Sequence, residues 1–131
     1  MTVGFDAPLP PLVAALFRML RHAGEPQPGA VTGLAGSQAL GTQVEFSLRN
    51  ASGCATGLRF RAYGCPYTLA TCEWLAGRLE GAELAGGLPD GPLQWAVALQ
   101  VPDERLGRLL IAEDALRAAW FAATQQTHQQ I

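Results

Sequence analysis

Lysine is absent from these 131 residues: all nine basic side chains are arginine, set against eleven acids. The resulting formal charge of −2 offers no phosphate-binding footprint, so a nucleic-acid partner is not expected. Long apolar runs are missing too, and none approaches the roughly twenty residues that a bilayer-crossing helix needs. The opening stretch, MTVGFDAPLPPLVAALFRMLRHAG, carries its arginines after the apolar centre and has no small-residue cleavage site. It reads as an amphipathic structural helix and not as a signal peptide. Cysteines are few and odd in number, three, which points to reduced thiols in the cytoplasm. Charged residues are only 15% against 49% hydrophobic, the balance of a globular chain and not of a disordered one. The length suits one domain, 1–131, able to bury a core without a metal or disulfide staple, with 1–7 and 124–131 expected to fray.

What is present reads as helix, short strand, hairpin, then helices. Pro8, Pro10 and Pro11 introduce a helix from about Leu12 to His22, with Val13, Leu16, Phe17 and Leu20 at helical spacing. Ala30 to Leu34 suits a short edge strand, and the loop GLAGSQALGT, beginning at Gly33, then leads to a strand at Gln43–Arg49. Turn residues fill Asn50 to Gly57, and alternation resumes at Leu58, giving an antiparallel hairpin over about 43–63. Glu45, Arg59 and Arg61 read as ordinary charges on its solvated faces. Helices are expected at Pro66 to about Glu80 and at Leu93 to Leu99, with one more turn at Glu83–Leu88. Asp103 is the N-cap expected for a last helix, RLGRLLIAEDALRAAWFAATQQ, either continuous or interrupted near Gly107. The fold class is α+β: a small antiparallel sheet of three strands covered on one face by helices.

The chain turns on RFRAYGCPYTLATCEWLAGRL, Arg59 to Leu79. A strand with Leu58, Phe60 and Ala62 on one side and Arg59, Arg61 and Tyr63 on the other breaks at Gly64. Cys65 sits at the corner, and Pro66 starts a helix. Unpaired N–H groups and the positive helix end converge there, which favours a thiolate. If the hairpin is centred near Gly53, paired positions add to a constant and Cys65 falls opposite roughly residue 41. The loop Ala39-Leu40-Gly41-Thr42 should therefore approach it. Cys54, at the hairpin tip, is roughly 30 Å away by strand rise. Cys72 lies roughly 10 Å along the helix, on its packed stripe, and reads as core. His22, ending the first helix, and His128, in the polar tail, read as exposed side chains and not as ligands.

YGCPYTLATCEWLAGRL behind a hairpin, the loop AGSQALGTQVEFSL before it, and the later LLIAEDALRAA resemble the iron–sulfur cluster assembly scaffold family of the IscU and NifU N-terminal type. The resemblance runs from about Arg21 to Trp120 and implies an IscU/SufE-like fold without enzymatic activity. It implies iron–sulfur cluster assembly as the setting, with an iron–sulfur cluster, iron or zinc held on three cysteines with an assisting Asp. Carried over position by position, Cys65 matches the middle cysteine. Leu40 stands at the first cysteine's place and Thr42 at that of the assisting Asp. Gly107 and Arg108 stand where the family has a His-Cys pair. One ligand of the set remains, and one thiolate cannot complete a centre that needs about four donors.

Two readings of different class follow. In the first, the chain is a divergent scaffold-like protein that accepts or carries sulfur on Cys65, handed over as a persulfide by a cysteine desulfurase or another assembly protein. Arg108 would favour the thiolate if it lies close, and a dimer sharing two Cys65 residues around one cluster is a variant of this reading. In the second, the fold serves as an adaptor or regulatory binding module, and Cys65 is simply a small residue for a tight turn. A thiol enzyme is disfavoured, because no His lies near Cys65 in sequence to activate it.

Overall fold

The computed structural model describes residues 8–126. In chain order the elements are α1 (Pro11–Arg18), β1 (Val31–Ser37), β2 (Thr42–Ala51), β3 (Cys54–Tyr63), α2 (Pro66–Leu79), α3 (Pro92–Leu99), a 3₁₀ turn (Asp103–Arg105) and α4 (Leu106–Thr124). The three strands form one antiparallel sheet in the order β1-β2-β3. Its α+β class is the one expected. The side-chain alternation of β2 and β3 is also as expected: Val44, Phe46, Leu48, Leu58 and Phe60 are buried, while Glu45 and Arg61 form an ion pair at 2.7 Å on the other face.

The hairpin is tighter than the turn-rich sequence suggests. Its strands continue to Ala51 and Cys54, leaving a two-residue turn in which Ser52 and Gly53 both have positive φ, 54° and 89°. Asn50 Oδ1 accepts the Gly53 N–H at 2.8 Å. One surplus residue is absorbed by a bulge, where the register changes between Ser47 and Arg49 and Gly57 takes φ 65°. Bulged N–H groups lose their ladder partners, and Glu80 replaces them: its carboxylate accepts from Gly57 N at 3.0 Å and from Leu58 N at 3.1 Å. α2 therefore lies back along β3, tied at its C-terminal end to the bulge. Its 14 residues span about 21 Å, close to the roughly 23 Å of strand between Leu58 and Cys65.

α4 covers β1 and β2 on the same face. Contact is closest at Gly33, where a Cβ would run into the backbone of Ala115 and Ala119. The core is formed by Phe46, Phe60, Leu48, Leu75, Leu109, Leu116 and Trp95, with Trp95 Nε1 donating to Asp90 at 2.7 Å.

Several boundaries differ from expectation. α1 ends at Arg18, not His22, because the next residues are committed elsewhere: Phe60 N donates to His22 O and Gly24 N to Phe60 O, so His22–Gly24 lies along the outer edge of β3. β1 extends to Ser37, so much of the Gly-rich loop is strand. Glu83–Leu88 is no helical turn, since Glu83 pairs with Cys54 and Leu84 N donates to Gly53 O. Asp103 opens a 3₁₀ turn and does not cap α4, which runs unbroken through Gly107. Residues 124–126 are held, with Asn50 N donating to Gln126 Oε1 at 2.9 Å. The fraying expected at 1–7 and 127–131 lies outside the described residues, as does His128.

Candidate functional site

Cys65 is the residue at which β3 gives way to α2. Its extended backbone, φ −86° and ψ 173°, is that of a helix N-cap, and Pro66 at the first helical position has its φ fixed for the turn that follows. Gly64 completes the corner for a steric reason: a Cβ there would stand 2.8 Å from Thr68 Oγ1 and 2.9 Å from Thr68 Cβ. The bare glycine lets the first turn of α2 close against the strand. Thr68 is thereby wholly buried, with its hydroxyl 3.7 Å from Cys65 Sγ.

The half-buried thiol is subject to opposed effects. Burial pushes its pKa up, but the N–H and hydroxyl of Thr68, the N–H of Tyr67 and the Arg108 side chain together outweigh that, leaving it below the usual thiol value. The two N–H groups face the sulfur without closing a capping hydrogen bond. The other cysteines differ sharply. Cys72 is enclosed in the core, where burial drives its thiol far up, and Cys54 lies at the hairpin tip opposite Ala51.

The β2–β3 register pairs Gln43 with Tyr63. Continued by two residues, it places Thr42 across from Gly64 and Gly41 across from Cys65, the sum rule read from the sequence. Thr42 is buried, and Gly36 closes over its carbonyl. Leu40 is 71% exposed on the β1–β2 turn, its N–H bonded to Ser37. Gly107 is exposed with open space where a side chain would be. Arg108 follows it in the first turn of α4, close enough to the Cys65 sulfur to act on it. Arg105 extends over the Tyr67 ring, its guanidinium carbon 5.8 Å from the ring centre.

Among the described residues no three His, Cys, Asp or Glu side chains gather within reach of one ion. The corner offers a single thiol, and the nearest added charge is a guanidinium, which repels a cation. Sequence reasoning reached Cys65 and Arg108 but missed Thr68. Its spacing, three residues after the N-cap, is that of a capping partner and carried the signal. It also missed His22, read as exposed. The ring Nδ1 lies 2.6 Å from Glu73 Oε2, and His22 N donates to Glu73 Oε1 at 2.8 Å, so Glu73, only 5% exposed on α2, ties the His22 segment down. A glutamate on a helix gives no sequence sign that it will be buried.

No protein-family model matches the chain. Individual relatives do. It is 34% identical over 103 residues to the bifunctional protein NifU/MnmA of Rubrobacter xylanophilus, a match covering 76% of this chain and 21% of that much longer protein. It is 32% identical over 98 residues to the iron–sulfur cluster assembly scaffold protein IscU of Azotobacter vinelandii, covering 70% of this chain and 73% of that one. Among solved structures, the N-terminal part of a NifU-like protein from Brucella abortus superposes with TM-score 0.67 at 16% identity, covering 88% of this chain and 94% of that one. A putative scaffold for the SUF system from Fervidobacterium islandicum gives 0.64 at 13% identity, covering 83% and 93%. With identity at this level over most of a relative of similar size, and with the shared sheet and helices, the chain belongs to the IscU/NifU family of iron–sulfur cluster assembly scaffolds.

Proposed function

We propose that this chain serves iron–sulfur cluster assembly by carrying sulfur on Cys65, one sulfur per chain, and that it builds no cluster on a thiolate set of its own. The observation that carries this reading is the state of the Cys65 thiol, half-buried at a helix start and shifted toward the thiolate. A thiolate is the form that accepts sulfane sulfur from a persulfide. The names of the relatives supply the setting, and the missing donor set argues against a cluster held by one chain. The donor is a protein persulfide of the kind a cysteine desulfurase carries. All three thiols are free, as a reducing compartment such as the cytoplasm would keep them.

The adaptor reading has one observation of its own. Leu40 and Tyr63, on either side of the corner, are 71% and 53% exposed, an apolar rim that suits a protein partner.

Anaerobic incubation with a cysteine desulfurase and free cysteine, followed by intact-mass measurement, separates the two. One added sulfur is expected on the wild type and on Cys54→Ser, and none on Cys65→Ser. A wild type that stays unmodified, or an adduct that persists on Cys65→Ser, overturns the sulfur-carrier reading.

A further inference from the structure

Among the described residues, Arg108 Nε is the buried side-chain nitrogen or oxygen that lacks a hydrogen-bond partner. Leaving a buried donor unpaired is costly, the more so when it is charged, so such an atom points to an acceptor that joins it in use. Its position deepens the anomaly. Arg108 is the third residue of α4, at the positive end of the helix dipole, and no acidic residue stands in that helix's first turn to offset it. Asp103 and Glu104, in the preceding 3₁₀ turn, are exposed. The Arg108 side chain, from the first turn of α4, lies within hydrogen-bonding reach of the Cys65 thiol at the start of α2, and Arg105 places a second guanidinium over the Tyr67 ring. The Thr68 hydroxyl stands 3.7 Å from the sulfur.

Resting on the sulfur-carrier reading above, we propose that Arg108 is a positioning residue that holds the outer sulfur anion of a Cys65 persulfide, making the corner an anion site where a cluster scaffold would need a cation site. The step balances without an added oxidant. The Cys65 thiolate attacks the outer sulfur of the donor's protonated persulfide, and a new S–S bond forms on Sγ. The donor S–S bond breaks, and its electron pair leaves with the donor thiolate. The Cys65–S–SH so formed releases its proton to water, and the anion is left on the outer sulfur, about 2 Å beyond Sγ, with Arg108 as its counter-charge. Sulfane sulfur is transferred and not reduced.

The test uses the full chain in a Cys54→Ser background, so that Cys65 is the accessible thiol. Inorganic polysulfide serves as the sulfur source, which removes any need for partner docking. Two quantities are read: the pH profile of Cys65 alkylation by iodoacetamide, and persulfide occupancy at neutral pH by intact mass. Arg108→Gln should move the alkylation midpoint up by about half to one pH unit and lower occupancy about three- to tenfold. Arg108→Lys, which keeps the charge, should recover most of the midpoint shift. A role confined to packing would move neither profile. Wild-type loading with both quantities unchanged in Arg108→Gln overturns this inference alone, whereas a wild type that takes no sulfur on Cys65 overturns the carrier reading beneath it as well.

Discussion

Gly64 and Thr68 occupy one another's space: the corner glycine leaves no room for a Cβ, because the Thr68 hydroxyl and Cβ would lie 2.8 and 2.9 Å from it. Thr68 is fully buried and cannot swing aside. Gly64→Ala should therefore destabilise by about 1–3 kcal/mol in urea unfolding and slow alkylation of Cys65, since the first turn of α2 is pushed off the strand. Adding Thr68→Ala removes the hydroxyl but not the Cβ, so the double variant should recover only part of the stability. Full additivity of the two substitutions would show that the pair is not coupled.

Gly33 and Gly107 make opposite predictions for the same change. At Gly33 an added methyl strikes the backbone of Ala115 and Ala119, which cannot move without displacing α4. Gly33→Ala should cost at least about 3 kcal/mol or abolish folded protein. Gly107 has open space and lies within α4, so Gly107→Ala should stabilise by about 0.5–1 kcal/mol through helix propensity. Urea melts of the two variants side by side check the sign of each.

The His22–Glu73 contact joins segments 51 residues apart. His22→Ala leaves Glu73 with the residue-22 N–H alone, and Glu73→Ala leaves that N–H without its acceptor. Each should cost about 1–3 kcal/mol in chemical denaturation. Hydrogen exchange at residue 22 should quicken in the Glu73 variant, and unchanged protection there would refute the tie.

Asp90 gives the stability a dependence on pH at the acid end. Arg78 holds its carboxyl below the usual carboxylate range, and Trp95 Nε1 adds a second donor. A depressed folded-state pKa means stability that is present above the ordinary aspartate value and lost as pH falls through the lowered one. Asp90→Asn should lower stability at neutral pH by about 0.5 kcal/mol, a small figure because Arg78 and Asp90 are partly exposed. The gap between the two proteins should close as pH drops below about 3.8. Thermal melts from pH 7 downward measure it, and a gap that persists at the acid end contradicts the assignment.

The sheet was legible because alternation over Gln43–Arg49 and Leu58–Tyr63 fixes which side chains face the helices, and the sum rule gives the register at Cys65. The extent of the turn was not. Ser52–Gly53 close it in two residues while Gly57 and Glu80 absorb one extra residue, and no local pattern reveals that a glutamate 22 residues away supplies the bulge with acceptors. α1 stops short of its sequence pattern, at Arg18, for a similar reason. Helical periodicity continues through Leu20, but tertiary hydrogen bonds to Phe60 claim the backbone after His22. At the site, Pro66 and Gly64 mark the corner in the sequence itself. The approach of Arg108 depends on how α4 packs beside α2, which the sequence alone does not encode locally; only the family resemblance brought the two positions together.

The backbone pairing along β3 bears on how copies of this chain can associate. His22–Gly24 occupies its outer edge at Phe60, and Gly81–Glu83 occupies it at Cys54–Ala55. β1 ends the sheet on the other side, and among the described residues no strand pairs with its outer edge. Edge-to-edge addition of strands needs two receptive edges to propagate. With β3 already paired on its outer side at Phe60 and at Cys54–Ala55, β1 is the more receptive edge, so sheet extension between copies is expected to join two β1 edges and not to propagate through β3.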